Sequence, residues 1–131
     1  MPEENIVPPS AATTEPAFSP PAEEAKISIE DFAKVKMQVG QILEAERIEG
    51  SRKLVRMRVD IGAEVRQLVA GIAESYVPAD LVNRKVIVVT NLKPARLMGI
   101  ESNGMVVAAS VGGKAVLATF AEDAPNGAFL R

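Results

Sequence analysis

The chain has 131 residues, about the size of one small domain, with 47% apolar residues and a formal charge of −2. It contains no cysteine and no histidine, which removes disulfides, thiol nucleophiles and thiolate metal ligands, and with them the commonest general base and metal ligand near neutral pH. Its apolar runs, VIVVT at Val86 to Thr90 among them, have strand length where a membrane helix needs ~20 residues, and its acidic start, MPEENIVPPS, lacks the basic-then-apolar order of a secretory signal, so a cytoplasmic protein with no membrane partner and no cofactor is expected.

Residues 1–26 hold six of the nine prolines (Pro2, Pro8, Pro9, Pro16, Pro20 and Pro21) among small and acidic residues, with no periodic apolar pattern. Such a segment buries too little surface to offset its ordering entropy, so it reads as a disordered, Pro-rich acidic linker, with either an attached upstream partner or a genuine start at the initial Met. The domain is expected at 27–131. ISIEDFAKV then reads as a short helical turn, with Ser28 as N-cap and Asp31 three residues on. Val35, Met37 and Val39 alternate with Lys34, Lys36 and Gln38, the period of a half-buried first strand. Gly40 is expected to mark a bulge or bend in it, after which QILEAERI continues as a coiled strand.

Gly50 and Ser51 make a turn into KLVRMRVDI, where Leu54, Arg56, Arg58 and Asp60 share one face and Val55, Met57, Val59 and Ile61 the other. VRQLVAGI is the third strand, Tyr76 to Leu81 with Pro78 a short helix or turn, and RKVIVVTNL the fourth strand. GMVVAAS and GKAVLATF form a last hairpin around Gly112 and Gly113. This order predicts an all-β, five-stranded OB-fold barrel with a short helix between strands 3 and 4. An SH3-like barrel or a small sandwich is the alternative.

Charge is divided along the chain. Residues 1–31 carry seven acids against Lys26, whereas Arg47 to Arg96 carries ten cations against five acids. A basic surface of this kind attracts polyanions, nucleic acid first, although solvated strand faces also carry such residues. Lys53, Arg56 and Arg58 lie along one hairpin, and Arg56 and Arg58 on one strand face could track successive phosphates or simply face water. Arg66 and Gln67 open the third strand, and Gln67 could reach a base edge. In NLKPARLMG, Pro94 holds Lys93 extended and ends the strand, so Lys93 and Arg96 sit on a constrained loop and lose less entropy on meeting a phosphate. In ESNGM, Ser102 can donate to a phosphate or ribose hydroxyl, and Met105, if exposed, offers an apolar surface to a splayed base. A phosphate-cradling Gly-rich loop, paired carboxylates and the materials of a catalytic triad are all missing. Phe32, Tyr76, Phe120 and Phe129 are too scattered for a general single-strand binder.

Several segments together, VGQILEAERIEGSRKLVRMRVDIG, RQLVAGIAESY, NLKPARLMGIESNGMVVAAS and the terminal PNGAFLR, closely resemble in order and spacing the tRNA-binding OB domain appended to bacterial methionyl-tRNA synthetases. The same domain occurs as stand-alone structure-specific tRNA-binding proteins and in the endothelial monocyte-activating polypeptide. The resemblance spans about Ile27 to Arg131. It implies a non-catalytic module that reads the folded shape of tRNA, commonly as a homodimer, and that raises a synthetase's hold on tRNA when joined to it. Carried onto matching positions, the binding surface would include Lys53, Asn91, Lys93, Arg96, Ser102 and Met105, with Leu97 and Met98 anchoring the loop to the barrel. Arg52 stands where many relatives have an acid, and Arg96 where lysine is frequent; both keep or add positive charge.

The partners implied are tRNA, a second copy of the chain, and a methionyl-tRNA synthetase catalytic core reached through the linker. Val116, Leu117 and Phe129 are where the dimer contact is expected. The alternative is a protein-binding chaperone, because an export-related branch of the same family holds unfolded peptides.

Overall fold

In the computed structural model the described residues are 25–131, so all but the end of the expected 1–26 linker lies outside them. The chain enters through α1 (Ile29–Phe32), whose first turn is capped as expected: the Ser28 hydroxyl accepts from the Asp31 N–H at 3.0 Å. None of its residues is buried.

β1 (Met37–Arg47) is long because it serves two neighbours. Its first half pairs with β4 (Lys85–Val89) and its second with β2 (Val55–Asp60), both antiparallel. The register irregularity lies between Ile42 and Glu44, so the bulge expected at Gly40 is displaced along the strand. Gly40 is glycine for a different reason. It pairs regularly with Val86, and a Cβ there would stand 2.6 Å from Val59 Cγ1 and 2.9 Å from Val88 Cγ2, inside the barrel wall.

β3 (Val65–Ala70) pairs with β2, and β7 (Met105–Val106) with β4, giving the order β3-β2-β1-β4-β7; β10 (Phe129–Leu130) pairs with the start of β1. The alternation read in the second strand holds: Val55, Met57, Val59 and Ile61 point inward and are at most 3% exposed. With Ile42, Leu68, Val86, Val88 and Val106 they fill the interior, each fully buried aliphatic side chain contributing about 1.5–3 kcal/mol. α2 (Pro78–Leu81) lies between β3 and β4 as expected and contributes Leu81, fully buried, to the core. The chain leaving α2 is tied to β1, whose Ile42 N–H donates to Arg84 O at 2.9 Å.

The curled sheet closes where β3 meets the segment carrying β5 (Ala95–Leu97) and β6 (Ile100–Ser102). Only one backbone bond makes that seam among the described residues, Asn103 N–H to Gln67 O at 2.9 Å. Side chains complete it: Ser102 Oγ accepts from Val69 N–H at 2.9 Å, and Gln67 Nε2 donates to Glu101 O at 2.8 Å. The expected last hairpin is β8 (Ala108–Val111) with β9 (Lys114–Leu117), held to the barrel by Ser75 Oγ and the Tyr76 hydroxyl, which accept from Ala115 and Leu117 N–H. The result is an OB-like barrel.

Candidate nucleic-acid interface

Two chain reversals converge at one end of the barrel. The first, between β1 and β2, is organised by Ser51. Its hydroxyl accepts from Lys53 and Leu54 N–H at 3.3 and 3.2 Å, and Lys53 O accepts from Ala73 N–H at 2.9 Å. The backbone is thereby held while the Arg52 and Lys53 side chains stand in solvent.

The second reversal is the segment expected to be a constrained loop. It is a β-hairpin instead: Ala95↔Ser102, Arg96↔Glu101 and Leu97↔Ile100 pair antiparallel. Only Met98 and Gly99 remain for the turn, both with positive φ, 53° and 78°, the pattern of a type I′ turn. Arg96 Nη1 donates to Gly99 O at 3.1 Å across it. The tip leans towards the first reversal, where the Met98 methyl lies 3.6 Å from the position a Cβ on Gly50 would take. Arg52 and Lys53 are thus displayed by the first reversal, Arg96 by β5 opposite Glu101 and Lys93 by the segment leading into it, and among the described residues none of the four forms an ion pair.

The other expected contact residues fare differently. Arg56 donates to Glu46, which faces it across the β1–β2 ladder, and Arg58 stands opposite Glu44. The face read as a phosphate track therefore carries its own acids. Arg66 is a strut: it donates to Glu64, to Thr90 O at 2.6 Å and to Asn103 O at 3.3 Å, linking β3 to the end of β4 and the seam. Asn91 clamps the approach to β1, its amide accepting from Lys36 N–H at 2.9 Å and donating to Lys34 O at 2.6 Å.

Ser102 requires a correction. It is 4% exposed, and its hydroxyl, already accepting from Val69, donates to Gly104 O at 3.1 Å. Its one proton is spent, so it has none to donate to a phosphate or ribose. Met105, at 50% exposure, is open to solvent. Leu97 and Met98 are not barrel anchors, being 36% and 57% exposed; the hairpin is anchored by Gln67, Ser102 and Asn103. Sequence reasoning missed the left-handed Met98, since two-residue hairpin turns are signalled by Asn-Gly or Asp-Gly and Met-Gly carries no such signal.

A second concavity, about 620 Å³, lies between α1 and the C-terminus, with Ile29, Phe32, Val35 and Phe129 on its apolar side and Lys36 and Arg66 on its polar side.

Residues 37–128 match the model of a family described as a putative tRNA binding domain. A methionine–tRNA ligase of Caldanaerobacter subterraneus subsp. tengcongensis is 50% identical over 101 residues, 77% of this chain and 16% of that protein; the chain spans 12% to 17% of the length of such curated relatives. Among solved structures, a MetRS-related protein from Pyrococcus horikoshii superposes with a TM-score of 0.78 at 38% identity, over 82% of this chain and all of that one. The chaperone CsaA of Bacillus anthracis superposes with 0.75 at 28% identity, again over 82% and 100%.

Proposed function

Because this chain belongs to the family of putative tRNA binding domains, we propose that it is a non-catalytic module which holds folded tRNA for a methionyl-tRNA synthetase, as its C-terminal domain or as a separate subunit, in the cytoplasm. One observation carries the reading: the β1–β2 turn, with Arg52 and Lys53, meets the tip of the β5–β6 hairpin, whose β5 carries Arg96 and whose approach carries Lys93. Cations without stacking aromatics grip phosphates and 2′-hydroxyls, the groups by which the shape of an RNA is read. Lys53, Lys93 and Arg96 are the phosphate contacts in this reading, and Met105 an apolar one. Residues 1–26 act as the tether, and a tethered module raises the effective tRNA concentration to about the millimolar range. Self-association is supported by exposed apolar residues of the C-terminal region, Val116 and Phe129, 50% and 54% exposed.

The test is binding of unfractionated tRNA by Lys93→Ala/Arg96→Ala across a salt series, with solution mass measured alongside. Affinity should fall about tenfold or more, and the slope of log affinity against log salt should shrink by roughly 0.7–0.9 for each lost phosphate contact. An affinity equal to that of the parent at moderate salt rules the reading out.

The chaperone reading is favoured by the likeness to CsaA and by the apolar groove beside α1. Suppression of aggregation that added tRNA leaves untouched would support it.

A further inference from the structure

Met98 is out of place by every local rule. Its φ of 53° puts it in the left-handed region, which a long side chain enters at a cost of about 1–2 kcal/mol, and the first central position of such a turn is best filled by Asn, Asp or Gly. The other non-glycine residue with positive φ among the described residues, Asn83, is of a type that accepts it readily. No burial repays Met98, which is 57% exposed. The hairpin does not need its side chain either, since the fold grips that hairpin at Ser102, Glu101 and Asn103, on the opposite end from the tip. What the strained position achieves is placement. A flexible, polarisable apolar group stands at the point where the two reversals meet, with Gly50 leaving it room and Arg96 bound across its own turn.

We infer that Met98 is a binding residue, packing its thioether on the exposed face of an unstacked base in the bent region of a folded RNA whose flanking phosphates are held by Lys53 and Arg96. The inference rests on the proposed tRNA-binding function and adds a base-face contact to it. Thioether sulfur packs favourably on aromatic rings, and RNA recognised by shape presents such faces at its loops and corners, where stacking is interrupted. An apolar contact of this kind discriminates folded RNA from continuous duplex, where the base faces are covered, and phosphate contacts alone do not.

Three proteins test it: the parent, Met98→Asn and Met98→Leu. Asn is the better turn residue, so Met98→Asn should melt at the same or a higher temperature, while its affinity for unfractionated tRNA drops about tenfold with the salt slope unchanged, because no phosphate contact is lost. Met98→Leu, which keeps apolar bulk, should bind within about threefold of the parent. In the parent, the Met98 Cε methyl resonance, assigned by its absence in the variants, should move upfield on adding tRNA as the ring current of a base requires. Duplex RNA should produce neither the shift nor the difference between variants. Parent-like affinity in Met98→Asn, or an unmoved methyl at saturation, overturns the inference while leaving the tRNA-binding function standing. Failure of the parent itself to bind tRNA at low salt defeats that function, and this inference with it.

Discussion

Arg56 donates to the carboxylate of Glu46 directly across the β1–β2 ladder. Two residues along each strand, Arg58 stands opposite Glu44. Four charges that look separable in the chain thereby form a nearly neutral strip, and the cationic ground is left to the two reversals at the barrel's end. Glu46→Gln should release Arg56, raise affinity for tRNA a few-fold at low salt and steepen its salt dependence. Since the side chains are 39% and 59% exposed, stability should change by less than about 1 kcal/mol. A filter-binding salt series and urea melts check both; a fall in affinity would assign Glu46 a direct role.

Gly40→Ala places a methyl 2.6 Å from Val59 Cγ1 and 2.9 Å from Val88 Cγ2. Overpacking of this kind costs about 1–3 kcal/mol. Urea unfolding should therefore show a lower midpoint with an unchanged slope. Combining it with Val59→Ala should cost less than the two single changes added together, since the truncated valine removes the nearest clashing atom.

Ser102→Ala removes the acceptor of the Val69 amide at a site 4% exposed. A buried N–H left unpaired costs about 1–3 kcal/mol. Hydrogen exchange at Val69 should accelerate and the melting temperature fall, while the folded protein keeps its tRNA affinity within about twofold. A large loss of affinity with unaltered stability would instead return Ser102 to the contact surface.

Asn91→Ala removes two bonds, from Lys36 N–H and to Lys34 O. Both backbone groups belong to exposed residues, so water can replace the amide and the cost should stay near 0.5–1.5 kcal/mol. Faster exchange of the Lys36 amide, with tRNA binding retained, is the expected signature.

The sequence by itself determined the inside and outside of the second strand, because alternation and a helix cap are local, whereas Val35, read as part of the first strand's buried face, lies before β1 and is 42% exposed. Val55, Met57, Val59 and Ile61 could be assigned to one face without knowing what lay opposite, and Ser28 could be matched to Asp31 from their spacing alone. The basic character of the Arg47 to Arg96 stretch was equally legible. Only the tertiary structure decided which of those cations are free. Pairing register joins residues far apart in the chain, and it set Glu46 against Arg56, drew Arg66 onto the Thr90 carbonyl and turned Ser102 inward to complete a seam that the backbone leaves nearly unbonded. It also made a two-residue turn of Met98 and Gly99, because the register between β5 and β6 leaves the chain no other room to reverse.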